Sequence, residues 1–171
     1  EISRDLGTRR LGRKLFCRDS VDSTNEEAKR SALAGAPDGS VFVAERQTGG
    51  KGRLGRAWSS PSGTGLWFSI LLRPGSIPAH ISTVTLLAGC PAMIKWPNDV
   101  VIGSRKVCGI LTEMSAEMER VEFVVVGIGV NVNNAQFPEE LKKKGTSLFL
   151  ACGRTVRRAE LLGEILRRFE K

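Results

Sequence analysis

The chain has 171 residues, 41% hydrophobic and 26% charged, with a formal net charge of +8. That length suits one well-packed domain, and no apolar run approaches the roughly 20 residues of a bilayer-spanning helix. The four cysteines, Cys17, Cys90, Cys108 and Cys152, lack C-x-x-C spacing and His80 is the only histidine, so neither a zinc site nor a disulfide framework is expected.

The N-terminus E1-I-S-R-D-L-G-T-R-R10 has charges but no apolar stretch before small residues, so it does not read as an export signal. A cytoplasmic protein with reduced thiols is expected, and a chain opening on Glu1 points to residues upstream.

In chain order, K14-L-F-C-R18 is predicted as a first strand, and D22-S-T-N-E-E-A-K-R-S-A-L-A-G35 has the punctuation of a helix. Ser23 caps it, Glu26 follows as in a capping box, Glu26 and Arg30 stand at i,i+4, and Gly35 ends it. S40-V-F-V-A-E45 reads as a buried strand. A glycine-rich loop runs through S59-S-P-S-G-T-G65 before L66-W-F-S-I-L-L-R73 resumes an extended pattern.

A helix is predicted over I77 to G89, then two short strands, M93-I-K-W96 and V100-V-I102, broken by Pro97-Asn98-Asp99. K106-V-C-G-I-L-T-E-M114 and R120-V-E-F-V-V-V-G-I-G-V-N131 read as strands joined as a hairpin through S115-A-E-M-E119. After a polar stretch, a closing helix from about Arg158 to Phe169 carries Leu161, Leu162, Ile165, Leu166 and Phe169 on one face. The order predicts an α+β fold around a mixed, largely antiparallel sheet flanked by helices.

The loop Q47-T-G-G-K-G-R-L-G-R-A-W58 concentrates glycine and positive charge. G50-K-G-R-L-G55 satisfies G-x-G-x-x-G, but a dinucleotide turn opens into a helix, whereas this one feeds a breaker-rich loop and a strand. What remains is a cationic clamp: glycines let backbone N–H groups approach an anion, Lys51, Arg53 and Arg56 supply charge, and Trp58 can stack on a base. Nucleic-acid binders use the same ingredients. The clusters K142-K-K144, R157-R158 and R167-R168 are solvated faces unless they converge in space.

In K95-W-P-N-D99, Trp96 is expected to pack beneath a rigid turn, and Asn98 and Asp99 either satisfy that turn or reach a site. Lys106 opens an otherwise apolar strand; it either snorkels to solvent or points inward, where it would stabilise charge on a phosphoryl or acyl oxygen. In V124-V-V-G-I-G-V-N-V-N133, Gly127 and Gly129 leave one face free of bulk, which lets a planar ring lie on the backbone.

Taken in order, D22-S-T-N25, A44-E-R-Q-T-G-G-K-G-R-L-G-R-A-W58, G65-L-W-F-S-I-L-L-R-P74, K95-W-P-N-D99, K106-V-C-G-I-L-T-E113 and G127-I-G-V-N-V-N133 resemble the catalytic core of biotin protein ligases. The resemblance is strong over residues 10 to 133. It implies a class II aminoacyl-tRNA-synthetase-like fold and two half-reactions. Biotin and Mg-ATP give biotinyl-5′-AMP, and the acyl group then passes to a lysine of biotin carboxyl carrier protein, part of acetyl-CoA carboxylase or a related enzyme.

By that resemblance Ser23, Thr24 and Gln47, with backbone from Gly50 and Lys51, bind the biotin rings. Arg53 and Arg56 bind phosphate, Arg53 also retaining the adenylate; Trp58 stacks on adenine, with Asn131 near its edge. Lys106 bridges the biotin carboxylate and the α-phosphate, and Asp99 lies near the reaction centre, acting through Mg2+. Residues 1–171 would form one catalytic domain, and neither the SH3-like C-terminal domain nor the N-terminal helix-turn-helix of some family members is present in this sequence. The family includes monomers and homodimers.

The family usually has Arg where Lys51 stands, which keeps the charge but loses a bidentate fork. Between Gly89 and Met93 the chain is also shorter than the family pattern. Two rivals remain: lipoyl or octanoyl transfer, which shares the fold, and a basic nucleic-acid-binding module, which the lack of aromatics interleaved on a basic stripe disfavours.

Overall fold

The structure, a computed structural model, describes residues 6–74, 92–117 and 120–171. The helix expected over 77–89 lies outside the described residues, as do Cys90 and the turn at 118–119.

Strand β1 (Leu15–Val21) leads into helix α1 (Thr24–Leu33) and then β2 (Val41–Gln47), which lies parallel to β1. The other strands pair antiparallel: β3 (Leu66–Leu72), β4 (Ala92–Lys95), β5 (Asp99–Ile102), β6 (Arg105–Glu117) and β7 (Arg120–Val130). They form one seven-stranded sheet in the order β1-β2-β3-β7-β6-β5-β4. The mixed, largely antiparallel sheet is the one expected. The short helices α2 (Glu139–Lys142) and α3 (Leu148–Cys152) occupy the polar stretch where none was predicted, and α4 (Arg158–Phe169) closes the chain.

The central strands are buried on both faces, and side chains alternate between two cores. Val41, Val43, Phe68, Ile70, Val124, Val126 and Ile128 point to one face and pack with Leu161, Leu162, Ile165, Leu166 and Phe169 of α4. Phe42, Leu71, Phe123 and Val125 point to the other, against Ala28 and Ala32 of α1. Truncating a fully buried residue such as Leu162 to Ala costs about 2–5 kcal/mol.

On the α1 face, bulk disappears along one row. Ser69 pairs with Gly127, Trp67 with Gly129, and across β6 Gly109 pairs with Gly129 and Leu111 with Gly127. Antiparallel partners share a face, so three glycines and a serine leave a trough beside the N-terminus of α1.

Four local expectations are corrected. Ser23 caps α1 by accepting from the Asn25 N–H at 3.3 Å, but its own N–H donates to Asp22 rather than to Glu26, so the capping box does not close. Arg30 pairs with Asp22 and Glu27, not with Glu26. Trp96 is 86% exposed among the described residues instead of packed beneath its turn. Cys17 and Cys108 are free thiols, as expected, whereas Cys152 is disulfide-bonded. Among the described residues no helix is long and apolar enough to cross a membrane.

Candidate active site

The trough opens into a cleft lined by Ser23, Thr24, Asn25, Gln47, Trp58 and Lys106 with the glycines of β6 and β7. Its closed end is polar. Thr24 donates from both its N–H (2.8 Å) and its hydroxyl (3.1 Å) to Gln47 Oε1, and Gln47 Nε2 donates to Ser60 Oγ at 2.7 Å. Ser69 Oγ, fully buried in β3, lies 2.8 Å from Thr24 Oγ1 and 2.6 Å from Asn25 Oδ1.

Asn25 Nδ2 donates to Glu113 Oε2 at 2.7 Å, and Glu113 also takes the Lys29 ammonium at 2.6 Å. Any side chain at position 127 would run into the Asn25 amide. Asn25 and Ser69 fall within the motifs D22-S-T-N25 and G65-L-W-F-S-I-L-L-R-P74, but the sequence alone assigns them no role. The signal in hand was the hydroxyl of Ser69 alone in the apolar run L66-W-F-S-I-L-L72, since a polar group buried there needs partners.

The glycine loop folds as a hairpin over this end. Residue pairs Gln47 with Ser60 and Lys51 with Ala57 form bridges, and Trp58 N donates to Gly50 O at 2.8 Å. Its tip is a short 3₁₀ turn, Arg53–Gly55, in which Leu54 holds a left-handed φ of 58° at 80% exposure. A non-glycine residue in that region carries strain. Arg53 and Arg56 are exposed at the tip, Arg53 on the cleft lining. Lys51 instead reaches Glu26 of α1 at 2.6 Å, and this hydrogen bond, opposed by burial, holds the Glu26 carboxyl below its ordinary range.

Trp58 returns to the sheet. A Cβ on Gly129 would come within 2.6 Å of its Nε1, and one on Gly109 within 3.0 Å of its ring, so the planar ring against this backbone is the chain's own indole. Its Nε1 is buried with no acceptor among the described residues. Trp67 packs edge-on at 6.3 Å, and Lys106 Nζ stands 4.9 Å from the ring centroid.

Lys106 reaches this face through a bulge. The β5–β6 register shifts between Val100 and Val101: Cys108 faces Val100, but Lys106 faces Val101. Val107 and Cys108 both enter the α4-side core, so Lys106 turns to the cleft with Gly109 and Asp99, a residue pair in register. Its ammonium meets Asp99 Oδ1 at 2.5 Å, and its backbone is clamped by Lys144 O and the Thr146 N–H. The inward alternative for Lys106 therefore holds; Asp99 meets the cleft through that lysine, and Asn98, itself on the cleft lining, also ties its turn to Ile110 by two hydrogen bonds. Burial pushes the adjacent Cys108 thiol up to about 12, so it stays protonated beside the site.

Of the residues carried over by resemblance, Gly50 and Asp99 are off the cleft lining, Asp99 meeting it through Lys106, and two more sit apart. Arg56 is off the cleft lining, and Asn131 is 7% exposed with its amide donating to Thr146 O at 3.1 Å. Among the described residues no three His, Cys, Asp or Glu gather as metal ligands.

Over residues 16–131 the chain matches the sequence signature of the biotin/lipoate A/B protein ligase family. The chain belongs to that family. Among relatives of this ligase family, it is 42% identical over 185 positions to a bifunctional ligase/repressor BirA of Bacillus spizizenii, covering all of this chain and 57% of that protein. That alignment is longer than the chain, so the relative carries residues in the matched span that this sequence lacks.

A biotin–[acetyl-CoA-carboxylase] ligase of Mycobacterium tuberculosis is 35% identical over 153 residues, covering 80% of this chain and 55% of that one. A solved biotin protein ligase from Aquifex aeolicus, in complex with biotin and ATP, matches with a TM-score of 0.76 at 37% identity, over 92% of this chain and 68% of its own. The expected class II aminoacyl-tRNA-synthetase-like fold is thus the fold of this ligase-family chain. The chain spans little more than half the length of the two curated relatives.

Proposed function

We propose that residues 1–171 form the catalytic domain of a biotin protein ligase. A biotin carboxylate oxygen attacks the α-phosphorus of ATP and pyrophosphate leaves. The Nζ of a carrier-protein lysine then attacks the biotinyl carbonyl carbon, AMP departs, and the nitrogen loses a proton. The acceptor is a biotin carboxyl carrier protein of acetyl-CoA carboxylase or a related enzyme, and the reaction runs in the cytoplasm.

The observation carrying this reading is where the Lys106 ammonium stands: on a cleft lining shared with Thr24, Gln47 and Arg53, 2.5 Å from Asp99 and 4.9 Å from the Trp58 ring. Two anions must meet for the first step, and a fixed cation between a carboxylate pocket and a phosphate loop lowers that repulsion. Ser23, Thr24 and Gln47, with the backbone of Gly50 and Lys51, take biotin; Arg53 and Arg56 take phosphate; Trp58 and Asn131 serve the adenine. The similar Aquifex aeolicus ligase, solved in complex with biotin and ATP, supports biotin and ATP as the two ligands.

Asp99 has one oxygen at Lys106, and a lone carboxylate does not make a resident metal site. It suits a magnesium ion that arrives on the triphosphate, with phosphate oxygens and water as its other ligands. Magnesium therefore enters as Mg-ATP, supplying charge neutralisation, with Asp99 as its contact on the protein.

Calorimetric titration with biotin, then biotin with Mg-ATP, followed by mass analysis of the bound product, tests the proposal. Biotinyl-adenylate is the expected product. Adenylate from lipoate and none from biotin would reassign the chain to the other branch of its family.

A further inference from the structure

Glu26 lies outside the cleft lining, yet it ties the part of the glycine loop next to its tip to α1, beyond the Thr24–Gln47 bonds at the loop's start. Lys51 Nζ is 2.6 Å from Glu26 Oε1, and the same oxygen takes Lys29 at 3.1 Å. Lys29 continues to Glu113 at 2.6 Å, and Glu113 to the Asn25 amide at 2.7 Å, at the closed end of the cleft. Gln47 and Gly49 bond to Thr24 and Asp22 at the loop's start; further along, Trp58 rests on the Gly109–Gly129 surface and Lys51 crosses to the helix. The charge at position 51 is spent on Glu26, which leaves phosphate to Arg53, Arg56 and Lys106.

We infer that Glu26 is a positioning residue that latches the glycine loop over the cleft through Lys51 and so slows escape of the activated acyl intermediate. This rests on the reading of the site as one that makes an acyl-adenylate. The pair replaces what an arginine at position 51 would gain by a bidentate grip: a lysine is a point charge, and a single carboxylate oxygen on a rigid helix matches it. Lys51 is half exposed and Glu26 about a quarter exposed, so the latch is weak and reversible, as a loop that must open for substrates requires.

The test uses the full-length protein and two readouts. Without ligand, trypsin cutting after Arg53 and Arg56 is followed by mass analysis. With biotin and Mg-ATP, the rate of adenylate release is measured after a chase. Glu26→Gln and Lys51→Met are each expected to raise both rates roughly two- to five-fold, the scale of a partly exposed ion pair. The double variant should be no faster than either single one, and Lys51→Arg, which still reaches Glu26, should recover most of what Lys51→Met loses.

Unchanged rates in both single variants would overturn the inference. So would an effect of Glu26→Gln alone, since Glu26 would then act through Lys29. If the wild-type chain makes no adenylate, the functional reading fails while the proteolysis readout still decides whether the latch exists.

Discussion

Lys106 Nζ and Asp99 Oδ1 lie 2.5 Å apart because a single bulge turns the lysine off the core face of β6. Without it, Lys106 would share a face with Cys108, whose side chain is buried in the apolar layer beneath α4. Removing Lys106 leaves the Asp99 carboxylate partly desolvated and takes this cation from the cleft. Lys106→Ala is expected to slow adenylate formation by about 10²–10³-fold, as loss of a preorganised charge stabiliser does. Single-turnover formation of the adenylate measures it, and Asp99→Asn should cost less because the ammonium remains.

Gly127 is irreplaceable for a different reason. A methyl there pushes the Asn25 amide away from Ser69 and Glu113, undoing the closed end of the cleft. Gly127→Ala should destabilise the fold by about 1–3 kcal/mol, read from chemical denaturation, and biotin should bind at least about tenfold more weakly.

Of the three tryptophans, Trp67 is fully buried, Trp96 is 86% exposed, and Trp58 lies in the cleft with no acceptor for its Nε1 among the described residues. An indole donor without an acceptor is disfavoured by roughly 1–3 kcal/mol, so a ligand that offers an acceptor or shifts the ring relieves it. Nucleotide is expected to change emission in wild type and in Trp96→Phe, and not in Trp58→Phe. Equal responses in all three would contradict that assignment.

Glu170 just beyond α4 accepts the backbone N–H groups of Arg9 (2.6 Å), Arg10 (2.6 Å) and Leu11 (2.8 Å), fastening the start of the chain to its end. Burial raises its pKa, but these donors outweigh burial and the carboxyl titrates below its ordinary value. A depressed acid stabilises the fold above its unfolded pKa, near about 4.3, and that contribution fades as pH falls through the folded value. Melting curves between pH 7 and 3 should show wild type losing its advantage over Glu170→Gln on acidification, starting from about 1 kcal/mol at neutral pH.

The strands and α4 were legible because their patterns are strong: V124-V-V126 and L66-W-F68 permit little else, and α4 carries a continuous apolar face. The trough was half legible, since Gly127 and Gly129 announced a bare face but not that Gly109 would join them across β6. The bulge at Val107 was hidden, because a register shift of one residue leaves composition and periodicity unmarked. Glu26 was misjudged for a related reason. Helical spacing offered Arg30 as partner, while a loop distant in sequence but near in space supplied Lys51.

The hydroxyl cluster at the closed end has a consequence in counted hydrogens. Ser69 and Thr24 own one hydroxyl proton each, while Gln47 Oε1 is already served by the Thr24 backbone N–H at 2.8 Å. The longer 3.1 Å bond from the Thr24 hydroxyl to that same oxygen is therefore redundant, and its proton can swing to a newcomer without orphaning any group of the protein. Such an end of a pocket asks its guest for a lone pair rather than for a hydrogen.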